Sequence, residues 1–321
     1  MRRHWAHRLA WLPALLLLTG AAPPPAAFDL VALGVNGGVE EPTSAYHITA
    51  RGASSGVMCD VGTLAGGMDQ ARRRGRYPRA ASREAVMASI SAYLVTHAHL
   101  DHVAGLVLAS PNDTKKDILA LPAVNQALAD HYFNWTTWPN MGDRGASPRL
   151  GQYHYRDLEP GGPPTPMAGT GMSVTAYRLS HGGATSTAFL LESPSGALLC
   201  LGDTGPDAVE GSKNLNELWR AVAPLVRQGR LRGILIEASY PDPVPDARLY
   251  GHLTPSWLDK ELQVLRRLVG DDARMKALPI LVTHIKPSQG SPSSREAIGR
   301  QLKDLGFFHY ILLEQGRDYA L

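Results

Sequence analysis

The sequence predicts an α/β (α+β) fold in which two β-sheets form a sandwich and helices lie on the outside. Strand-like apolar runs fall into two sets, and an irregular Gly/Pro-rich stretch at Pro160–Gly171 separates them. Predicted helices lie between and after these strands. Two strand-rich halves with helices outside are typical of a two-sheet sandwich.

In the first half, strands follow one another with little helix between them. We expect strands at Phe28–Val35, Ser44–Ala50, Gly56–Val61 and Ala92–Thr96, with one helix at Ser82–Ser89. This order indicates a meander of neighbouring strands rather than a strictly alternating parallel sheet.

The rest of the chain predicts five helices and the second set of strands. The helices are expected at Asp101–Ala109, Pro122–Asp130, Asn214–Gln228, Pro255–Val269 and Ser293–Leu305. The strands are expected at Met172–Leu179, Ser186–Glu192, Ala197–Leu201, Gly233–Glu237, Ile280–Thr283 and Tyr310–Leu313. The region from about Lys115 to Thr170 has the least distinctive pattern.

The first residues predict a secretory signal peptide. A basic start with three arginines precedes the apolar run Leu9–Leu18, and small residues follow it. The apolar run is too short for a comfortable membrane span, although an uncleaved anchor is the alternative. We expect residues 1–27 to be a leader and Pro-rich spacer cut near 22–27, residues 28–321 to form one domain, and the protein to be exported to the periplasm or the medium.

The net charge expected for the mature chain argues against a polyanion as its general partner. Loss of Arg2, Arg3 and Arg8 with the leader brings the formal net charge from +3 to zero. We therefore expect no binding to nucleic acid polymers and no stable membrane association after cleavage. The basic run that begins with Arg72-Arg73-Arg74 is expected in a solvated loop, with phosphate steering as the alternative.

The two cysteines, Cys59 and Cys200, lie in separate strand-like runs. An exported chain could pair them. We expect both to be buried, in different strands, and reduced.

Four potential metal ligands lie within six residues. The segment Thr96-His97-Ala98-His99-Leu100-Asp101-His102 follows an apolar run, and the whole chain has only 12 histidines in 321 residues. Histidine and aspartate together suit a divalent ion such as zinc. One small ion cannot take all four side chains from so short a loop without strain, so the spacing indicates two ions. Such a pair clamps the attacking and leaving oxygens of a displacement reaction, which points to a hydrolase.

Three further ligand candidates share one pattern, in which an apolar strand ends at a single polar residue. These residues are His181, Asp203 and His284. A capping or turn role is the alternative for each of them. Their recurrence beside the histidine-rich segment favours metal ligation.

The H-x-H-x-D-H spacing resembles the signature of the metallo-β-lactamase fold superfamily. Within it, His97–Pro111 resembles the signature of class II 3′,5′-cyclic nucleotide phosphodiesterases, with Leu100 and Ser110-Pro111 as its discriminating parts. Further segments resemble the same family: Gly34–Gly38, Gly202–Asp207, Glu237–Tyr240, Gly251–Pro255 and Thr283–Pro287.

This resemblance implies a four-layer αββα sandwich of two mixed sheets with a metal site on its rim. It also implies hydrolysis of cyclic AMP, and variably cyclic GMP, to the 5′-monophosphate with two divalent ions, for which we expect zinc. One ion would be held by His97, His99 and His181, the other by Asp101, His102 and His284, and Asp203 would bridge them.

We assign Asp101 and His252 as the catalytic side chains. A hydroxide held by the two ions would attack phosphorus in line with O3′, and His252 would protonate that leaving oxygen. A structural role for His252 is the equally weighted alternative. Asp60 and Glu237 are expected to orient ligand histidines by accepting their second N–H.

Other polar and aromatic residues have simpler expected roles. The aromatic cluster Tyr132, Phe133, Trp135 and Trp138 could stack on a purine or belong to the core. His154 is expected to be structural or a loop contact rather than catalytic.

Two other functional classes compete with this interpretation. A lactonase, thioesterase, β-lactamase or RNA phosphodiesterase would share the metal motif, but Leu100, Ser110-Pro111 and Gly251–Pro255 argue against them. A non-catalytic protein that binds metal or nucleotide would be expected to lack a ligand, and every candidate ligand is present.

Overall fold

A computed structural model describes residues 25–38, 40–78, 81–288 and 290–321. In this part of the chain, two seven-stranded mixed sheets are flanked by helices, so the predicted fold class is confirmed. Except for its last three residues, the predicted leader lies outside the described residues. Among the described helices, none combines the length and apolar character needed to span a bilayer.

The strands are β1 Phe28–Gly34, β2 Ala45–Ala50, β3 Gly56–Val61, β4 Ile90–Leu94, β5 Lys116–Ala120, β6 Tyr153–Asp157, β7 Thr165–Met167, β8 Met172–His181, β9 Ala184–Ser193, β10 Gly196–Leu201, β11 Leu231–Glu237, β12 Pro279–Thr283, β13 His309–Leu312 and β14 Asp318–Ala320. The helices are α1 Ala65–Arg73, α2 Arg83–Ala88, α3 Leu100–Ala109, α4 Pro122–Ala127, α5 Asp207–Glu210, α6 Asn214–Arg227, α7 Pro255–Val269, α8 Asp272–Ala277 and α9 Ser294–Leu305.

Each sheet combines an antiparallel and a parallel part. The first has the order β14-β1-β2-β3-β4-β5-β6, antiparallel as far as β3 and parallel beyond it. The second has the order β13-β12-β11-β10-β9-β8-β7, parallel as far as β10 and antiparallel beyond it. The predicted meander therefore holds only for β1–β3.

The direction of the strands in the second sheet explains where the polar residues collect. Strands β10, β11 and β12 are parallel, and β8 runs the same way because both β8 and β10 are antiparallel to β9. All four strands therefore end at the same edge of the sheet. His181, Asp203, Glu237 and His284 lie at or just after these ends.

Two apolar layers hold the sandwich together. One fills the space between the sheets, where Leu94, Phe189 and Leu198 are fully buried, and continues on the outer face of the first sheet around Met58 and Tyr93. The other lies between the second sheet and the helices α6, α7 and α9, with Trp219 at its centre. Burial of apolar area on this scale is the main favourable term in folding.

Two sequence predictions about loops are wrong in part, although Arg74 and Arg76 do lie in an exposed turn after α1. Arg72 and Arg73 belong to helix α1, whose buried residues Met68 and Ala71 face the core. Glycine disfavours helices, so Gly67 weakened the sequence pattern of this helix. The same lack of a side chain lets α1 approach β1 closely, because a Cβ on Gly67 would lie 2.5 Å from the Leu33 carbonyl oxygen. The second error is the Gly/Pro-rich linker, which contains the short strand β7.

A disulfide bond joins the two sheets. Cys59 lies in β3 and Cys200 in β10, each the central strand of its sheet, and the two Cα atoms are 6.9 Å apart. The expectation of separate strands and full burial is confirmed, whereas the expectation of reduced thiols is wrong. The sequence could not show that the central strands of the two sheets face each other.

We expect the Cys59→Ala/Cys200→Ala protein to lose about 3 to 5 kcal/mol of unfolding free energy. The bond links residues 141 positions apart and so restricts the unfolded chain strongly. Urea unfolding of the oxidised wild type and the double variant would measure the loss. Reduced wild type, which keeps both sulfurs, should lose a similar amount of unfolding free energy. A double variant as stable as the oxidised wild type would contradict the expectation.

Candidate metal centre

Seven predicted ligands meet at the rim of the sandwich, where strand ends of both sheets converge. They are His97, His99, Asp101, His102, His181, Asp203 and His284. The first four lie on the loop after β4 and the first turn of α3, and the other three lie at strand ends of the second sheet. The structure thus brings every predicted ligand into one place, and their binding of metal stays a prediction.

Three imidazoles form the first group of donor atoms. Nε2 of His97 lies 3.1 Å from Nδ1 of His99, which lies 3.3 Å from Nε2 of His181. A tetrahedral zinc ion with Zn–N bonds of about 2.1 Å would hold its ligand atoms roughly 3.4 Å apart. The three nitrogens therefore have the spacing of ligands to one ion.

The second group combines two imidazoles and a carboxylate. Nε2 of His102 and Nε2 of His284 are 3.2 Å apart, and Oδ2 of Asp101 lies 3.2 Å from Nε2 of His284. The same Asp101 oxygen accepts the backbone N–H of Gly38 at 2.7 Å, which fixes the carboxylate in place.

Asp203 connects the two groups through its two oxygens. Oδ1 lies 3.3 Å from Nε2 of His102 and 3.2 Å from Nε2 of His284. Oδ2 lies 3.7 Å from Nε2 of both His97 and His181. One oxygen faces each group, which is the arrangement that a bridging carboxylate requires.

Hydrogen bonds on the far side of the rings leave the Nε2 atoms available. Nδ1 of His181 lies 2.8 Å from the Gly251 carbonyl oxygen, and Nδ1 of His284 lies 2.9 Å from the Ser239 hydroxyl. In His97 and His102 the Nδ1 atoms likewise contact Thr96 and Asp60. An N–H at Nδ1 leaves the Nε2 lone pair for a metal, so the donor set fits divalent ions well.

Asp60 supports both groups at once. Its carboxylate accepts the Nδ1–H of His102 at 2.7 Å, and it also accepts the backbone N–H and the hydroxyl of Thr96, both at 2.8 Å. The Thr96 hydroxyl oxygen in turn lies 3.0 Å from Nδ1 of His97. The expected orienting contact of Asp60 is therefore present, and it reaches a second histidine through Thr96.

His252 is oriented by Glu237, as the sequence suggested. Nδ1 of His252 lies 3.1 Å from each Glu237 oxygen. Glu237 also accepts the Thr204 and Leu253 backbone N–H groups and the Ser239 hydroxyl. His252 is buried beside Asp203, with its Nδ1 3.8 Å from Oδ2, and its catalytic role stays a prediction.

Two residues of the centre adopt left-handed backbone conformations. Asp60 has a φ of 54° and His284 a φ of 53°, values that cost free energy outside glycine. The hydrogen bonds of both side chains hold them there. Gly37 packs against the His284 ring so closely that a Cβ at this position would lie 2.4 Å from it, so a larger residue would displace the ligand.

Burial and neighbouring charges set the protonation of the donors. Burial lowers the pKa of His97, His99 and His181 and keeps them neutral, the form that binds metals. Burial opposes the charged form of Asp203, yet His284 and His102 hold the pKa of its carboxyl well below the ordinary value.

The pKa of His102 is raised by its carboxylate neighbours. Burial alone would lower it, but Asp203 and Asp60 favour the imidazolium more strongly. A proton and a metal ion thus compete for the same Nε2 atom. For His252, burial lowers the pKa, Glu237 raises it by more, and the positive charge of Lys286 opposes that rise.

Other residues highlighted by the sequence lie in different surroundings. His154 lies in β6, and its exposed side chain pairs with Asp143 of the preceding loop. Phe133 is buried in the core, whereas the Tyr132 hydroxyl donates to the Ala98 carbonyl oxygen at 2.6 Å, next to the ligands. Trp135 is partly exposed and bonds Pro148 through its indole N–H.

Sequence reasoning missed three residues that position the ligands. Thr96 and Ser239 carry hydroxyls that contact ligand histidines, and the Gly38 N–H holds Asp101. Thr96 directly precedes His97, and Ser239 lies in the segment that contains Glu237, so position in the motifs was an available signal. Gly38 closes the segment Gly34–Gly38, which also resembles the family, but its residue type did not show that its backbone N–H would hold Asp101.

Comparison with known proteins identifies relatives along most of the chain. The family described as "cAMP phosphodiesterases class-II" matches residues 76–307. A 3′,5′-cyclic-nucleotide phosphodiesterase of Aliivibrio fischeri is 39% identical over 97% of this chain and 98% of that protein. A probable 3′,5′-cyclic-nucleotide phosphodiesterase of Yersinia pestis is 39% identical over 91% of this chain and 88% of that protein.

Solved structures show the same fold. Unliganded yeast PDE1 superposes with a TM-score of 0.81 at 23% identity and covers 92% of this chain and 100% of its own. The metallo-β-lactamase fold protein YhfI from Bacillus subtilis superposes with a TM-score of 0.60 at 14% identity, over 91% of this chain and 99% of its own. The predicted metallo-β-lactamase-like architecture is confirmed.

We expect Asp60→Asn to weaken metal affinity about 10- to 100-fold, because an amide cannot accept hydrogen bonds from His102 and Thr96 as the carboxylate does. Competition with a chromophoric chelator would measure the change. Asp113→Asn is the matched control, since Asp113 is a buried carboxylate bonded to Tyr93 and Tyr153. It should cost stability without changing metal affinity; equal weakening by both variants would contradict a specific role for Asp60.

Proposed function

Because the chain belongs to the class II cAMP phosphodiesterase family, we propose that it hydrolyses 3′,5′-cyclic nucleotides, cyclic AMP foremost, to 5′-monophosphates. One observation carries the proposal: two groups of donor atoms share the carboxylate of Asp203. Such paired sites suit in-line displacement at phosphorus, where attacking and leaving oxygens both need stabilisation.

We infer that two divalent ions, most consistent with zinc, complete this centre. The imidazole-rich first group suits zinc, and the mixed second group accepts it equally well. When bound, the ions would lower the pKa of water to near neutrality and offset the charge of the phosphoryl group. His97, His99 and His181 would hold one ion, and Asp101, His102 and His284 the other.

The protein's own side chains would then orient the substrate and move a proton. Glu237 fixes Nδ1 of His252, so this ring has a defined orientation at the edge of the centre. We infer that His252 donates a proton to the leaving O3′ and that Glu237 stabilises the imidazolium beforehand. Asp101 contributes by holding the second group together through its contact with His284.

The competing functions lack this support. The curated relatives named above are cyclic-nucleotide phosphodiesterases, which does not favour a lactonase, thioesterase or β-lactamase. A non-catalytic binding protein is not favoured either, because all seven ligand positions carry donors that converge.

We also infer export of the mature protein. The leader predicted at residues 1–27 is the first support for this inference. The disulfide between Cys59 and Cys200 is the second, because such bonds persist in oxidising compartments.

Turnover of cyclic AMP by purified, zinc-loaded protein tests the proposed reaction. We expect 5′-AMP from the wild type and a rate at least about 100-fold lower for Asp203→Ala, because loss of the shared carboxylate disrupts both groups. Asp29→Ala is the control, since Asp29 is partly exposed and pairs with Arg51. Two bound ions without turnover of cyclic AMP or cyclic GMP would refute the reaction and leave the metal assignment intact.

A further inference from the structure

Lys286 is a cation at the rim of the centre, and it has no role in the chemistry proposed above. It follows the ligand His284 by two residues, within the segment Thr283–Pro287. The side chain is half-buried, and its basic group belongs to neither group of metal ligands.

The backbone of Lys286 is tied to the ligand residues. Its N–H donates to the Ser239 carbonyl oxygen at 3.1 Å. The Ser239 hydroxyl lies 2.9 Å from Nδ1 of His284. The same hydroxyl donates to Glu237 at 2.5 Å. The position of Lys286 is therefore fixed relative to the second group and to the partner of His252.

Its side chain extends over the glycine that holds Asp101. A Cβ built on Gly38 would lie 3.3 Å from Nζ of Lys286, so the ammonium group lies next to the space that a side chain at position 38 would fill. The Gly38 N–H donates to Oδ2 of Asp101 at 2.7 Å. The ammonium group thus lies beside the second group, just outside its ligand atoms.

On the other side, Lys286 reaches the surroundings of His252. Nζ lies 5.5 Å from the centroid of the Tyr240 ring, and that ring lies 5.8 Å from the ring of His252. Lys286 therefore lies between the Asp101 edge and the His252 edge of the centre. A reacting phosphoryl group has to lie between these same edges if His252 is to reach its leaving oxygen.

The charge of Lys286 is not used within the described structure. In the described part of the chain it forms no ion pair, whereas the buried Lys116 is paired with Asp113. Its described contact is the face of Tyr240, a weak interaction that leaves the ammonium N–H groups free to donate. A lysine kept beside a metal centre without a carboxylate partner suits an anion that arrives with the substrate.

We propose that Lys286 is a positioning residue for the phosphoryl group, whose ammonium donates to a non-bridging oxygen of the cyclic phosphodiester. This inference rests on the proposed function for the identity of the substrate. A cyclic phosphodiester has two non-bridging oxygens that share one negative charge. The ligand groups face one part of this anion, and Lys286 holds another by a charge-assisted hydrogen bond.

Binding of inorganic phosphate to the zinc-loaded protein tests the proposal without turnover. We expect Lys286→Met to weaken phosphate binding about 10- to 100-fold in calorimetry, the range for loss of a hydrogen bond between charged groups. Zinc content should not change. Lys260→Met is the matched control, because Nζ of Lys260 also lies over an aromatic ring, that of Trp257 at 3.7 Å, but on α7.

Kinetics give the second readout. The KM for cyclic AMP should rise by a similar factor in Lys286→Met with a smaller change in kcat, and Lys286→Arg should recover most of the affinity because it keeps the charge. Unchanged phosphate affinity in Lys286→Met would overturn the proposal, and so would loss of zinc from both Lys286 variants. Phosphate binding that depends on Lys286 in a protein without phosphodiesterase activity would refute the proposed reaction alone.

Discussion

The buried carboxylate of Asp60 is the contact on which the whole centre depends. A buried charge is costly unless donors surround it, and here three donors from Thr96 and His102 do so. Because Thr96 also contacts His97, one carboxylate fixes a ligand in each group. It does so from β3, a strand of the first sheet, so the sheet itself sets the position of the loop that follows β4.

A carboxylate and a hydroxyl also orient the histidines on the opposite side of the centre. Glu237 ends β11 and Ser239 follows it, and the two residues play for His252 and His284 the part that Asp60 and Thr96 play for His102 and His97. Each half therefore pairs a buried carboxylate with a hydroxyl. This arrangement tolerates strain: the left-handed backbone at Asp60 and His284 costs of order 1 kcal/mol each, and the several hydrogen bonds around each residue hold it in place.

The sequence reveals the ligands better than the residues that orient them. Ligands such as His181 and His284 are visible because each follows an apolar run, a local pattern. Ser239 and His284 are 45 residues apart, so their contact depends on the pairing of β11 with β12 and leaves no local mark. Strand β5 was missed for a related reason: it begins with Lys116, which is tolerated in the interior only because Asp113 neutralises it. Strand β6 lies at a sheet edge and alternates buried tyrosines with polar residues, which is itself a strand pattern that sequence reasoning missed.

The disulfide also bears on how the chain reaches this structure. Cys59 and Cys200 come together only after the two sheets face each other, since each lies in the centre of its own sheet. A reduced chain must therefore close a loop of 141 residues by diffusion before the sandwich can pack, and contacts of such long range slow folding. Once the bond has formed, the two sheets stay joined beside Asp60 and near Asp203 whenever the protein unfolds. The oxidised chain thus keeps its two sheets linked when it partly unfolds, whereas the newly made, reduced chain has no such link.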